Sequence, residues 1–365
     1  MKNQILNNLS NTYLSDISNN KSLAISKIGK LRFDQAEGLF QIPKRLGNKL
    51  VKIPLIEYSS LPDRDCTELK KQISIFLGVE TNNISIFPGS DEIIELIPRL
   101  YLNPKDISLC VVPTFSRMVS APKKVGAKSV LFKLYPEANF KIEGGVLTNF
   151  IKINKPKMVW ICTPNNPTGV VTPLNFISKL ILSFPKIIFV INEVYQEWYS
   201  LDPKMSAVSL VAKNKNLIVL RSFSKAFGLA GLRVGYAVGH SLRISELDMF
   251  RTMYNTSVFG QKLTTEALKN TKYISDTTIL VQKEKERLFK VISNLKNIDY
   301  IPESKTNLIF LRHKAGNTFE KLYKKGYLTS NWNNVSGIEK LGYVRISIGQ
   351  KIYNNRIITA LKEIN

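Results

Sequence analysis

From about residue 70 to 240 the chain alternates between short apolar runs and stretches of helical periodicity. Met158 to Cys162 (MVWIC), Ile187 to Ile191 (IIFVI) and Leu217 to Leu220 (LIVL) are continuous apolar runs, the pattern of strands buried on both faces. Between the first two, Thr172-Pro173-Leu174 reads as an N-cap followed by proline at the first helical position, opening a helix to about Phe184. Ser90-Asp91-Glu92 opens another helix, IIELIPRLY, which Pro98 is expected to kink. Strands alternating with helices predict a mostly parallel sheet with crossover helices.

After about residue 245 the texture changes. A long charged helical stretch, Thr277 to Lys296, precedes candidate strands at Leu308 to Arg312 and Tyr343 to Ile348, then a helix after Tyr353. The first 30 residues are polar and rich in Asn and Ser, as expected of an arm. The expected fold is α/β: a large domain with a mostly parallel central sheet over 46–250 and a smaller α+β domain over 251–365. Residues 1–45 would be an N-terminal arm and part of the small domain. No internal repeat or low-complexity linker separates the lobes, so they should pack together.

Composition acts mainly by exclusion. Hydrophobic residues make up 44% of the 365 and charged residues 22%, a globular balance. The apolar runs are far shorter than the ~20 residues of a membrane helix, and the first residues lack the apolar core of a secretory signal. Three scattered cysteines without a CxxC pair fit a reducing cytoplasm, and two histidines leave no multi-histidine metal site. The formal charge of +24 raises the question of nucleic acid. The lysines, however, are spread along the whole chain, and the densest run, Lys283 to Arg287 (KEKER), alternates in sign like a solvated helix face. A positive field would still draw in phosphorylated small molecules. No nucleic-acid or membrane partner is expected.

In α/β sheets ligands sit beyond the carboxyl ends of strands, and three such loops carry unusual residues. Pro88-Gly89-Ser90-Asp91 precedes a helix and offers backbone N–H groups and a hydroxyl to an anion. Thr163 to Gly169 (TPNNPTG) follows the MVWIC run and places Asn166 at the sheet's edge. Ser222 to Tyr236 (SFSKAFGLAGLRVGY) follows LIVL and holds Lys225, with Arg233 eight positions on. Singly these are an ordinary helix cap, a turn and a surface lysine. Together they suit a phosphorylated aldehyde cofactor held by Lys225 as a Schiff base.

These residues resemble the fold-type I pyridoxal-phosphate enzymes, the class I/II aminotransferases, with a pattern closest to the histidinol-phosphate aminotransferases. The resemblance spans roughly residues 30 to 350. It is carried in order by FDQAEG (33–38), LPDRDCTELK (61–70), PGSDEIIEL (88–96), PTFSRM (113–118), TPNNPTG, INEVYQEW (191–198), SFSKAFGLAGLRVGY and YVRISIG (343–349). It implies pyridoxal 5'-phosphate as cofactor, with Lys225 bonded to it and later moving the proton at the substrate carbon. Gly89, Ser90, Asp91, Ser222, Ser224 and Arg233 would hold the phosphate, Arg233 as a charge-assisted donor. Phe115 would stack on the ring, Asn166 and Tyr195 would bond its phenolic oxygen, and Arg345 would grip a substrate carboxylate or phosphate. A homodimer is implied, acting on an amino donor and a keto or phosphorylated acceptor.

The chain departs from that family at three places. Where the family carries Asp against the pyridine nitrogen, this sequence has Asn192, and a neutral amide cannot stabilise a pyridinium by charge. The neighbouring Glu193 is expected to face the other side of the strand. The family's Tyr-Pro-Asp tract is Leu61-Pro62-Asp63, and its Asn-Glu-Asn-Pro tract is Ala36-Glu37-Gly38-Leu39. Three functions therefore stand: an aminotransferase first, a decarboxylase of a phosphorylated amino acid second, and a catalytically weakened cofactor-binding protein third.

Overall fold

The computed structural model describes residues 30–37, 42–43, 46–48 and 52–365. The arm expected over the first 30 residues lies outside the described residues apart from Lys30, as do Gly38 and Leu39.

Thirteen strands are described in chain order: β1 (Leu31–Arg32), β2 (Ile84–Phe87), β3 (Ile107–Val112), β4 (Lys128–Lys133), β5 (Met158–Cys162), β6 (Ile188–Asn192), β7 (Leu217–Ser222), β8 (Gly235–Gly239), β9 (Ile298–Tyr300), β10 (Leu308–His313), β11 (Tyr327–Leu328), β12 (Ser330–Asn331) and β13 (Tyr343–Ser347). The longer helices are α1 (Thr67–Leu77), α2 (Ser90–Tyr101), α3 (Arg117–Lys124), α4 (Gly144–Asn154), α5 (Leu174–Ser183), α6 (Ser241–Phe250), α7 (Val258–Leu268), α8 (Lys272–Ile292), α9 (Thr318–Lys324) and α10 (Lys351–Ile364).

A seven-stranded sheet runs β2-β8-β7-β6-β5-β3-β4. Its centre is parallel, and β8 is antiparallel to both neighbours. The apolar runs are continuous because both faces are covered. Met158, Trp160, Val190 and Leu220 point into a cluster with α2, α3 and α6, whereas Val159, Ile161, Ile191 and Val219 point into the main core with α4, α5 and α8. A second, antiparallel sheet runs β12-β13-β10-β9, and β1 pairs with β11.

Two local expectations need correction. α5 starts at Leu174 with Pro173 before it, so Thr172 is not its N-cap; the Thr172 amide instead donates to Thr163 Oγ1 at 2.9 Å. The KEKER segment is not wholly solvated: Lys285 is 4% exposed, and its Nζ donates to the Thr306 carbonyl at 3.0 Å.

No helix of the described residues is long and apolar enough to cross a membrane.

Candidate active site

Asn192 ends β6, in register with Cys162 of β5 and Leu220 of β7, so the loops after β5, β6 and β7 gather at one edge of the sheet. The loop after β5 is fixed from within. Asn165 donates through Nδ2 to the Pro113 carbonyl at 3.0 Å, and the Gly169 amide donates to the Asn165 carbonyl at 2.7 Å. That leaves the neighbouring Asn166 buried and free to face the second sheet, where its Oδ1 accepts from Arg345 Nη1 at 2.7 Å. Arg345 lies on β13, and its Nη2 donates to the Asp34 carbonyl. Its Nε is buried without a partner, one donor still to be used.

Lys225 sits in a tight turn after β7, closed by the Gly228 amide donating to the Lys225 carbonyl at 2.9 Å. Tyr273 of α8 ties down the same turn through its hydroxyl, which donates to the Phe227 carbonyl at 2.9 Å. The Lys225 side chain is 18% exposed, and its Nζ is 3.8 Å from Glu37 Oε1 and 5.7 Å from the centre of the Tyr195 ring. Burial lowers the Lys225 amine from its ordinary value; Glu37 pulls it up and Arg345 pushes it down. The result favours the uncharged, nucleophilic amine. Burial pushes the Tyr195 phenol up, so it stays a proton donor.

At the other end, Ser222 pairs with Gly235 of β8, and Gly235 pairs with Phe87 of β2. The chain passes from Phe87 through Gly89 into the N-terminus of α2 directly over Gly235. A Cβ on Gly235 would meet the Ser90 amide nitrogen at 2.5 Å. Gly89 itself takes φ +94°, and a Cβ there would meet Arg233 Nη2 at 2.5 Å. The close approach therefore brings together the free N–H groups of α2, Ser222, Ser224 and Arg233, which is the chemistry of an anion cradle. The Ser222 hydroxyl already accepts from the Ser224 amide at 3.1 Å. Arg233 Nη2 lies 3.9 Å from Asp91 Oδ2, and half of the arginine side chain is exposed.

Asn192 and Glu193 point to opposite faces. Asn192 Nδ2 donates to Met118 Sδ at 3.4 Å, while Glu193 joins Arg221, Glu197 and Ser206 in a buried network on the other side. Phe115 lies in the loop after β3, half-buried against the cluster that contains Met118. The structure thus gathers Lys225, Tyr195, Asn166 and Arg345 at one end and Gly89, Ser90, Asp91, Ser222, Ser224 and Arg233 at the other, with Asn192 buried at the end of β6. Sequence reasoning did not place Glu37 beside Lys225 or Met118 behind Asn192. Neither has a local signal; each is defined by a partner far away in the chain. Among the described residues no group of His, Cys, Asp or Glu is arranged to hold a metal.

The sequence profile of the family described as aminotransferase class I and II matches residues 57–361. A histidinol-phosphate aminotransferase from Thermoanaerobacter pseudethanolicus is 33% identical over 340 residues, covering 92% of this chain and 93% of that protein. The crystal structure of histidinol-phosphate aminotransferase from Sinorhizobium meliloti in complex with pyridoxal-5'-phosphate superposes with a TM-score of 0.82 at 19% identity, covering 91% of this chain and 90% of the other. An L-threonine-O-3-phosphate decarboxylase from Porphyromonas gingivalis gives 0.80 at 21% identity, covering 92% and 99%.

Proposed function

The chain belongs to the class I and II aminotransferases, pyridoxal 5'-phosphate-dependent enzymes, and from that premise we propose that it moves an amino group between an amino acid such as glutamate and a substrate of the histidinol-phosphate type. One observation carries this reading: the lysine amine of Lys225 lies between an anion cradle on one side and a buried arginine with an unused donor on the other.

That donor set fits the cofactor. The cradle supplies N–H and hydroxyl donors and one guanidinium for a phosphate, and the glycines at 89 and 235 let Arg233 and the N-terminus of α2 approach closely enough to form it. When bound, the cofactor supplies an aldehyde that takes up the amino group and a ring that draws electrons from the reacting carbon. Gly89, Ser90, Asp91, Ser222, Ser224 and Arg233 would hold its phosphate, Phe115 would cover the ring, and Asn166 and Tyr195 would bond its phenolic oxygen. Lys225 would anchor it and then move the proton at the substrate carbon, a role helped by burial that lowers the amine from its ordinary value. Arg345 would orient the carboxylate or phosphate of the substrate, and the second sheet would exclude water around it. The cofactor would be carried by residues 46–250, with 251–365 closing over it.

A homodimer belongs to the same proposal. Leu55, Ile56, Leu61, Met249, Phe250 and Met253 are large apolar side chains exposed by more than half, which supports a second copy covering them. Cytoplasm is the compartment that suits a chain whose three cysteines are all free.

The test is an absorbance spectrum of the protein with pyridoxal 5'-phosphate, before and after glutamate or histidinol phosphate. The bound-cofactor band should convert to the amine form with at least one of them. A band that forms and responds to neither, or carbon dioxide released from phosphothreonine, would replace the proposal with the binder or the decarboxylase. Lys225→Ala should bind cofactor that borohydride no longer fixes to the chain, read by mass spectrometry.

A further inference from the structure

The surroundings of Asn192 at the end of β6 are built without charge. Asn192 is 2% exposed, Thr114 1% and Met118 0%. Asn192 Oδ1 accepts from the Val194 amide at 3.3 Å, which fixes the amide's orientation, because the reversed side chain would set two donors against each other. Nδ2 is thereby turned towards Met118, and the partner it has there is a thioether sulfur at 3.4 Å, a weak acceptor. That sulfur is shared with the Thr114 hydroxyl at 3.9 Å. The strand neighbours in register are equally uncharged: Leu220 on β7, and on β5 Cys162, whose thiol burial pushes up to about 12. The nearest carboxylate in sequence, Glu193, is turned to the opposite face. There it accepts from Arg221 Nη1 at 3.1 Å and the Ala207 amide at 2.8 Å, with Ser206 as a further donor.

We propose that Asn192 is a hydrogen-bond donor to an unprotonated pyridine nitrogen of the bound cofactor. The inference rests on the pyridoxal-phosphate reading above. Its physical basis is that a buried base with no anion beside it is favoured in its neutral form, and a neutral pyridine nitrogen is an acceptor only. Asn192 presents a donor whose present partner is a poor one, so exchanging the sulfur for a nitrogen lone pair improves the bond. Thr114 and Met118 act as positioning residues behind Asn192. With the ring drawing electrons less strongly, proton movement at the substrate carbon depends more on Lys225 and on the orientation that Arg345 imposes.

The experiment uses the full chain loaded with pyridoxal 5'-phosphate labelled with nitrogen-15 in the ring, read by NMR. The bound label should resonate with unprotonated pyridine and hold that position between pH 6 and 9. Asn192→Asp should move it towards the protonated range and speed the half-reaction with an amino donor. A wild-type signal at the pyridinium position would overturn the inference alone, leaving the cofactor assignment intact. No bound label would overturn both. The wild-type measurement decides the matter even if the variant fails to fold.

Discussion

Lys285 shows what one buried charge does in this chain. The buried residues of α8 include Val281, Lys285, Leu288 and Ile292, so the lysine occupies a position on the apolar stripe. Burial, with Lys305 nearby, lowers its amine to about 7, and the Thr306 carbonyl is the acceptor it has found. In the unfolded chain the amine keeps its ordinary value, so between about pH 7 and 10 the unfolded state holds a proton that the folded state has released. Stability from this residue is therefore greatest above pH 10 and falls as pH drops towards 7. Compared with Lys285→Met, the wild type should gain up to about 1.4 kcal/mol for each pH unit across that window, measured by urea unfolding. A difference independent of pH would show that the amine titrates elsewhere. The stripe position was visible in the sequence, but the alternating charges of KEKER masked it.

At the scale of elements, the cradle depends on how closely α2 crosses β8. Gly235 stands between β2 and β7 in the ladder with the Gly89–Ser90 backbone over it, so there is no flexible side chain to yield to an added methyl group. Gly235→Ala should push the N-terminus of α2 away from Ser222 and weaken pyridoxal-phosphate binding at least tenfold, while circular dichroism stays that of a folded chain. Unchanged affinity would mean that the phosphate does not use this helix end. The strands around the cradle were legible because burial on both faces writes a continuous apolar run. The start of α5 was misjudged by a residue or two, because Thr-Pro at a helix entrance also suits the residues just before it, and here Thr172 is engaged with Thr163.

For the whole molecule, the charge of +24 predicts a field that gathers anions from a distance. The association rate of histidinol phosphate or pyridoxal phosphate should fall steeply as salt rises from about 0.05 to 0.5 M, since the Debye length shrinks below the reach of that field. The rate of the bound half-reaction should hardly change, because Lys225 and Arg345 are largely shielded from solvent. Stopped-flow mixing at several salt concentrations separates the two, and a salt-independent association rate would rule out steering. The two sheets meet at the site itself. Gly169 accepts from the Lys305 amide at 2.8 Å, and Arg345 reaches Asn166 across 179 positions of sequence.

The sequence by itself determined the strand runs, the order of the loops at their ends, Lys225 as the candidate for the reactive amine and Asn192 as the departure. Each of these is local: burial sets the apolar pattern, and a motif occupies a few consecutive residues. Tertiary structure alone decided that Glu37 lies beside Lys225, that Arg345 is held by Asn166 and the Asp34 carbonyl, and that the Asn192 amide turns its nitrogen to Met118. Those pairings join elements far apart in the chain, and their geometry comes from how two sheets and their helices pack. No local pattern encodes that distance.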